Sequence, residues 1–242
     1  MEVRDRGVLY QTSTFKIDLH GHEIYPRFLG GNMVEQEKKW TFDEYAWLEN
    51  YDERMRNTKR LRYDETLSEV ARITSVKKGD LVLDIGTGTG NLAVKFLEKG
   101  CQVVGLDPSA KMLKIAERKV VEWGERFQIQ LCENPFLDIP FPDQTFDVAA
   151  STYTIHHITD DTKRLSIKEM KRVLKPNGRI IIGDVMFKDA ADKARALAEY
   201  PDLEDEYQPM LDAFPIMFEN EGFTVVIKQM ADTVWIVCAK LR

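Results

Sequence analysis

A chain of 242 residues, 43% hydrophobic and 31% charged, is long enough for one α/β domain with an appendage and a sizeable core. A formal net charge of -6 and a pI near 5.4 speak against phosphate-tracking nucleic-acid binding as the main activity. No apolar run nears the roughly 18 residues that cross a bilayer, no signal segment is evident, and Cys101, Cys132 and Cys238 lack C-x-x-C spacing, so a cytoplasmic protein without disulfides or a zinc site is expected.

The first roughly 75 residues show no alternation of strand and helix patterns. Phe15, Ile17 and Leu19 alternate, which suits a short edge strand, and His20-Gly21-His22-Glu23 reads as an exposed turn with too few ligands for a metal. Trp40, Trp47, Tyr51 and Met55 recur at helical spacing, predicting an amphipathic helix over 41–57. From about residue 80, apolar runs alternate with amphipathic segments, the pattern of βαβ units. Strands are predicted at 81–85, 102–107, 127–131, 146–153 and 179–184. Helices are predicted over 91–99, stopped by Gly100, and 109–123, stopped by Gly124. A third runs from the N-cap Thr159 to about Leu174, before Pro176-Asn177-Gly178. The acidic stretch 201–208 reads most simply as a solvated loop before a helix over 214–221, with the lining of a ligand entrance as its alternative role, and 223–230 and 233–239 as an antiparallel hairpin closing the sheet. Without repeats or a linker, residues 1–60 form an extension and helical lid, and 61–242 the main domain.

The main chemical signal is Asp84-Ile85-Gly86-Thr87-Gly88-Thr89-Gly90, between the first strand and the first helix. Glycines there let the backbone turn tightly and approach a ligand closely. A tight strand-helix turn needs no more than that, and nicotinamide and flavin folds use one too. The spacing, however, is G-x-G-x-G and not G-x-G-x-x-G. A carboxylate at Asp84, roughly 6 Å from a pyrophosphate charge, would cost about 3 kcal/mol at an effective dielectric of about 20. A ligand with a cationic group and no phosphate suits this turn better. Asp107 ends the second strand, where a carboxylate accepts hydrogen bonds from ribose hydroxyls, a feature shared with nicotinamide enzymes.

These residues resemble the class I S-adenosylmethionine (SAM)-dependent methyltransferases. Residues 82–90 look like their first motif, and Val104-Gly105-Leu106-Asp107-Pro108-Ser109 like their ribose-binding strand end. Phe146-Asp147-Val148 with 151–157 resembles the fourth-strand region, and residues 172–179 the helix-turn-strand segment of the small-molecule branch. The likeness covers about residues 40 to 240. It implies a Rossmann-like seven-stranded, mostly parallel sheet of order 3-2-1-4-5-7-6 with an N-terminal helical lid. It also implies SAM as cofactor. Asp84, Gly86, Thr87, Gly88 and Gly90 would border its methionine end, Asp107 its ribose, and Pro108 and Met112 its adenine. Cys132 by its backbone and Glu133 by its side chain would approach the adenine amino group, and Tyr153 would contact the cofactor and is also a candidate for the acceptor site. Outside the motif, Cys132 and Met112 read equally as core residues.

By the same resemblance the methyl acceptor lies beyond the fourth strand, under the lid, with Trp47 as a lid aromatic. Methyl transfer requires alignment and, for some acceptors, removal of a proton, and no metal. His156, His157 and Tyr51 are the catalytic candidates, because an imidazole is a base near neutral pH. If strand geometry continues, the two histidines point in opposite directions and at most one faces the pocket. Packing of the loop, or of the lid helix for Tyr51, is the alternative role. The segment Ser151-Thr152-Tyr153-Thr154 lacks the Asn/Asp-Pro-Pro-aromatic run of enzymes that methylate base or glutamine nitrogens, and the scattered cysteines disfavour arsenite. A small-molecule acceptor is expected, with no nucleic acid or membrane as partner. A nicotinamide-dependent oxidoreductase and a non-catalytic SAM-binding regulator are the rival readings.

Overall fold

The computed structural model describes the backbone at residues 16–17, 23–24, 27–29 and 32–34, and describes 48–203 and 206–242 in full. Contacts divide the chain into a unit Met1–Trp40 and a unit Thr41–Arg242. In the first, strand β1 (Lys16–Ile17) pairs antiparallel with β2 (Glu23–Ile24), and β3 (Arg27–Leu29) with β4 (Asn32–Val34). Of the alternating trio, Ile17 lies in β1; Phe15 and Leu19 lie outside the described residues, as do Trp40, Trp47, His20 and His22.

The second unit begins, as described, with a 3-10 turn Leu48–Asn50 and helix α1 (Tyr51–Asn57), then α2 (Tyr63–Ile73). The βα alternation follows: β5 (Leu81–Ile85), α3 (Asn91–Glu98), β6 (Gln102–Asp107), α4 (Ala110–Val120), β7 (Phe127–Leu131), β8 (Phe146–Thr152) and α5 (Asp160–Val173). It ends with β9 (Leu174–Val185), α6 (Ala190–Glu199), α7 (Phe214–Asn220), β10 (Phe223–Gln229) and β11 (Val234–Leu241).

Strands β5 to β11 form one sheet in the order β10-β11-β9-β8-β5-β6-β7. The pairs among β5 to β9 are parallel, and β11 runs antiparallel to both β9 and β10. Counted along this sheet, the order is the expected 3-2-1-4-5-7-6. Strand alternation divides the core between its two faces. Val82, Val103, Val148, Ala150 and Ile181 join one apolar cluster with α2 and α3. Leu83, Ile85, Val104, Leu106, Ala149, Ile180 and Ile182 join the other with α5 and α7. Burial on both faces is why the strands read as continuous apolar runs. Among the described residues no helix is long and apolar enough to cross a membrane.

Several elements differ from the sequence expectation. The predicted helix 109–123 is α-helical only to Val120 and continues as a 3-10 stretch Val121–Arg126, broken at Gly124 with φ 55° and ψ -136°. Pro176-Asn177-Gly178 does not stand apart as a helix stop, because β9 starts directly at Leu174. Phe146 pairs with Leu174 and Val148 with Arg179, so residues 175–178 loop out of the ladder as an irregularity. α2 and α6 were not anticipated. The stretch 201–208 is no simple solvated loop: Leu203 and Gln208 are buried, and Pro201–Leu203 makes a 3-10 turn.

Candidate active site

The strand order reverses between β5 and β8, which neighbour each other while their connections leave in opposite directions. Ligands of open α/β sheets bind outside the carboxyl ends of the strands at such a point. Here that crevice is walled by the glycine turn after β5, Asp107 at the end of β6, the loop after β8, and Asp184 near the end of β9.

The glycine turn is held by β6. Gly86 and Thr87 donate their amides to the Leu106 carbonyl at 2.8 and 3.0 Å, and the Gly88 amide reaches Asp107 Oδ2 at 2.8 Å. The other Asp107 oxygen accepts the Ser109 amide at 2.8 Å, and Ser109 in turn caps α4. An ionised carboxylate has about four acceptor sites, so anchoring two amides is compatible with receiving ribose hydroxyls. Gly88, with φ 53°, faces space: a Cβ built on it meets nothing closer than the Gly86 oxygen at 4.0 Å. Gly86 is the opposite case, because a Cβ there would lie 2.3 Å from Thr154 Cγ2. These residues fit a cofactor carrying a ribose and a compact polar tail.

Asp84 is buried beneath the turn, where Oδ2 accepts the Thr87 hydroxyl at 2.7 Å. Burial pushes its carboxyl from 3.8 up to about 7, with the charge of Asp107 adding and the Thr87 bond opposing. The ligand-free folded chain therefore keeps a proton on Asp84 between pH 3.8 and about 7 that the unfolded chain has lost. Proton uptake on folding makes stability fall as pH rises through that window. Asp84→Asn is expected to remove this part of the slope, read from urea midpoints of both proteins across the window. Parallel curves for the two proteins would exclude the effect.

Of the residues expected near an adenine, Pro108 is exposed, Met112 is buried, the Cys132 amide donates to the Asp107 carbonyl at 3.1 Å, and Glu133 is exposed. Tyr153 has φ 52° and ends the strand. Its ring packs 5.3 Å from that of Tyr63, and its hydroxyl donates to the Leu61 carbonyl at 2.7 Å, tying the loop to the segment between α1 and α2.

That left-handed residue ends strand geometry, and Ile155–His157 form a 3-10 turn. The alternation expected of His156 and His157 is therefore overturned: their ring centres lie only 4.0 Å apart. The turn is built around Asp184, which is fully buried. One of its oxygens accepts the amides of Thr154 and Ile155 at 3.0 and 2.9 Å. The other accepts the Val185 amide at 2.7 Å and binds His156 Nδ1 at 2.6 Å. Burial disfavours the His156 imidazolium, but the charge and hydrogen bond of Asp184 outweigh it and raise the imidazole's pKa. The far nitrogen, Nε2, stands 3.6 Å from Glu206 Oε1.

On the lid side, Tyr51 is half-buried, and burial, reinforced by Tyr63 and the carboxylates of Asp107, Asp52 and Asp184, holds its phenol well above the usual range. It is thus a hydrogen-bond donor and a poor base. Its neighbour Asp52 accepts Thr89 Oγ1 at 2.6 Å and Asn91 Nδ2 at 2.8 Å, and pairs with Lys119 at 2.6 Å. α1 is thereby fastened to the start of α3.

Asp52, Thr154, Asp184 and Glu206 were not singled out from the sequence. Asp184 had a signal: a carboxylate interrupting an apolar strand, as in Asp84 and Asp107. Glu206 had only the signal of its acidic stretch 201–208, whose alternative role is lining the acceptor entrance, and is brought to the histidines from 50 residues away by the fold.

A family profile described as a methyltransferase domain matches residues 83–182. An uncharacterized methyltransferase of Geobacillus thermodenitrificans is 36% identical over 218 residues, covering 86% of this chain and 97% of the relative. Another, from Oceanobacillus iheyensis, is 39% identical over 189 residues, covering 74% and 83%. A SAM-dependent methyltransferase from Aquifex aeolicus superposes with a TM-score of 0.58 at 22% identity, covering 81% of this chain and 98% of that one.

Proposed function

The chain belongs to the SAM-dependent methyltransferases of class I fold, and from that premise we propose that it methylates a small molecule held beyond the carboxyl ends of β8 and β9. The observation that carries this reading is the polar group Asp184, His156, His157 and Glu206. Its two histidines sit on the loop whose Thr154 lies against Gly86, with Asp184 from β9 and Glu206 from the segment before α7 meeting them there.

The cofactor, when bound, supplies an activated methyl group and needs no further activation from the protein. The chain's own residues do the rest. The turn amides and Asp107 bind and orient the cofactor, and Asp84 favours its ammonium. Gly90, Pro108, Met112, Cys132 and Glu133 complete that wall, with Tyr153 bracing the loop. Tyr51 donates a hydrogen bond from the lid, which we take to include residues up to 60. His156 and His157 orient the acceptor and receive its proton where it has one. A cytoplasmic setting belongs to the same reading, supported by the free thiols of Cys101, Cys132 and Cys238. The acidic balance of the chain supports an acceptor other than nucleic acid.

Two measurements test this. In calorimetric titrations, SAM and S-adenosylhomocysteine (SAH) are expected to bind and NADH not. Asp107→Ala is expected to weaken both adenosyl ligands by about 100-fold, the worth of two hydrogen bonds to a charged group. Methyl-labelled SAM, incubated with the protein and a cell extract, is then expected to label the small-molecule fraction. Label appearing in RNA or protein would overturn the choice of acceptor.

A further inference from the structure

We propose that His156, His157 and Glu206 form a binding site for one divalent transition-metal ion of zinc-like preference, at the mouth of the acceptor pocket. The sequence reading required no metal, because methyl transfer needs only alignment and, for some acceptors, removal of a proton, and nothing in the local pattern brings Glu206 to the histidine pair. The fold does: one ligand atom from each of the three lies within 4.8 Å of the other two. Two ligands bound at about 2.1 Å to a tetrahedral ion stand roughly 3.4 Å apart. The separation of 3.6 Å between His156 Nε2 and Glu206 Oε1 is already close to that. The remaining gap closes by side-chain rotation.

The surroundings are those of a metal site. A ligating histidine characteristically gives its other ring nitrogen to a carboxylate, which sets its orientation and basicity. His156 Nδ1 is held by Asp184 at 2.6 Å, which directs Nε2 at Glu206. The Glu206 carboxylate is braced in turn, since the buried Gln208 donates Nε2 to its Oε2 at 3.1 Å and leaves Oε1 facing the imidazole. The segment itself is pinned to the histidine turn by the Tyr207 amide on the His156 carbonyl at 2.8 Å. Lys163 adds a bond from its ammonium to the Tyr207 carbonyl and another to Asp160 at 2.9 Å.

Charge points the same way. Asp184 and Glu206 bring two carboxylates to this group, against the buried ammonium of Lys163. A dication offsets both. Two imidazoles and one carboxylate suit zinc or ferrous iron and not magnesium or calcium, which take oxygen ligands. Three protein ligands leave a position open for water or for an oxygen or nitrogen of the acceptor. A group bound there loses its proton more readily than in water. His156 and His157 would then act as ligands in place of free bases. The ion's role toward the acceptor rests on the function proposed above; its binding does not.

The test uses the full chain after treatment with a chelator. Cobalt(II) followed by visible absorption, and zinc followed by calorimetry, are expected to bind at one equivalent with micromolar or tighter affinity. Glu206→Gln and His157→Gln are each expected to weaken binding at least 100-fold, while SAH binding to the variants stays unchanged and reports intact folding. No ion bound by the wild type, or wild-type affinity in both variants, overturns the site. SAH titrated into the same wild-type sample separates the two readings. SAH bound without zinc removes the ion site alone. Zinc bound without SAH keeps the ion site and removes the methyl-acceptor reading of the pocket.

Discussion

Gly86→Ala is expected to lose about 3 kcal/mol of stability and all measurable cofactor binding. Two penalties combine. The residue has φ 69°, a left-handed conformation that costs an L-residue about 1–2 kcal/mol. The new methyl would also fall 2.3 Å from Thr154 Cγ2 and 2.9 Å from its Cβ, so the loop after β8 must shift. Gly88→Ala is the informative partner. It pays a similar conformational cost at φ 53°, but its Cβ meets only open space. It is expected to unfold about 1–2 kcal/mol earlier and still to bind SAH poorly, because the methyl occupies ligand volume. Urea unfolding and SAH titration of both variants check this. Equal stability losses in the two would remove the role given to Thr154.

Asp184→Ala is expected to be the more damaging change, at about 3–5 kcal/mol. It strips the acceptor from the amides of Thr154, Ile155 and Val185 and from the His156 ring at once, all beneath a fully buried carboxylate. Asp184→Asn retains one oxygen and is expected to cost clearly less. Urea midpoints of the pair read the difference. An alanine variant within 1 kcal/mol of wild type would show that the loop is not organised by this side chain.

The parallel sheet was legible because its inner strands β5 and β6 bury both faces and coincide with their apolar runs, while the edge strand β7 showed as the alternation Phe127-Gln128-Ile129-Gln130-Leu131. Thr159 announced its helix because a cap is a local side-chain-to-backbone bond, and the structure shows Ser109, read only as the start of its helix, capping in the same way. α6 was not legible: among its ten residues only Ala196 is buried, which leaves hardly any apolar stripe to read. α2 carried its stripe at Tyr63, Leu67, Val70 and Ala71 and was simply not picked out. On the donor side, Asp84, the glycines and Asp107 are contiguous with strand ends, so chemistry and fold share one signal. The acceptor side is different. One residue at φ 52°, Tyr153, turned the chain out of strand geometry and brought together two histidines that alternation would separate. Nothing about a tyrosine foretells a left-handed backbone.

The attachment of α1 bears on how the cofactor comes and goes. None of the seven residues of α1 is fully buried; Asp52 fastens the helix to the glycine turn, and Met55 packs against the core. Such a polar fastening is worth a few kcal/mol, since each hydrogen bond to a charged group contributes about 1.5–3. Opening it would uncover Met55 but no fully buried residue of α1, so the excursion is cheaper than unfolding the sheet. Water can replace each broken bond on the way. Opening of this helix is therefore the expected route for exchanging spent for fresh cofactor without disturbing the strands behind it.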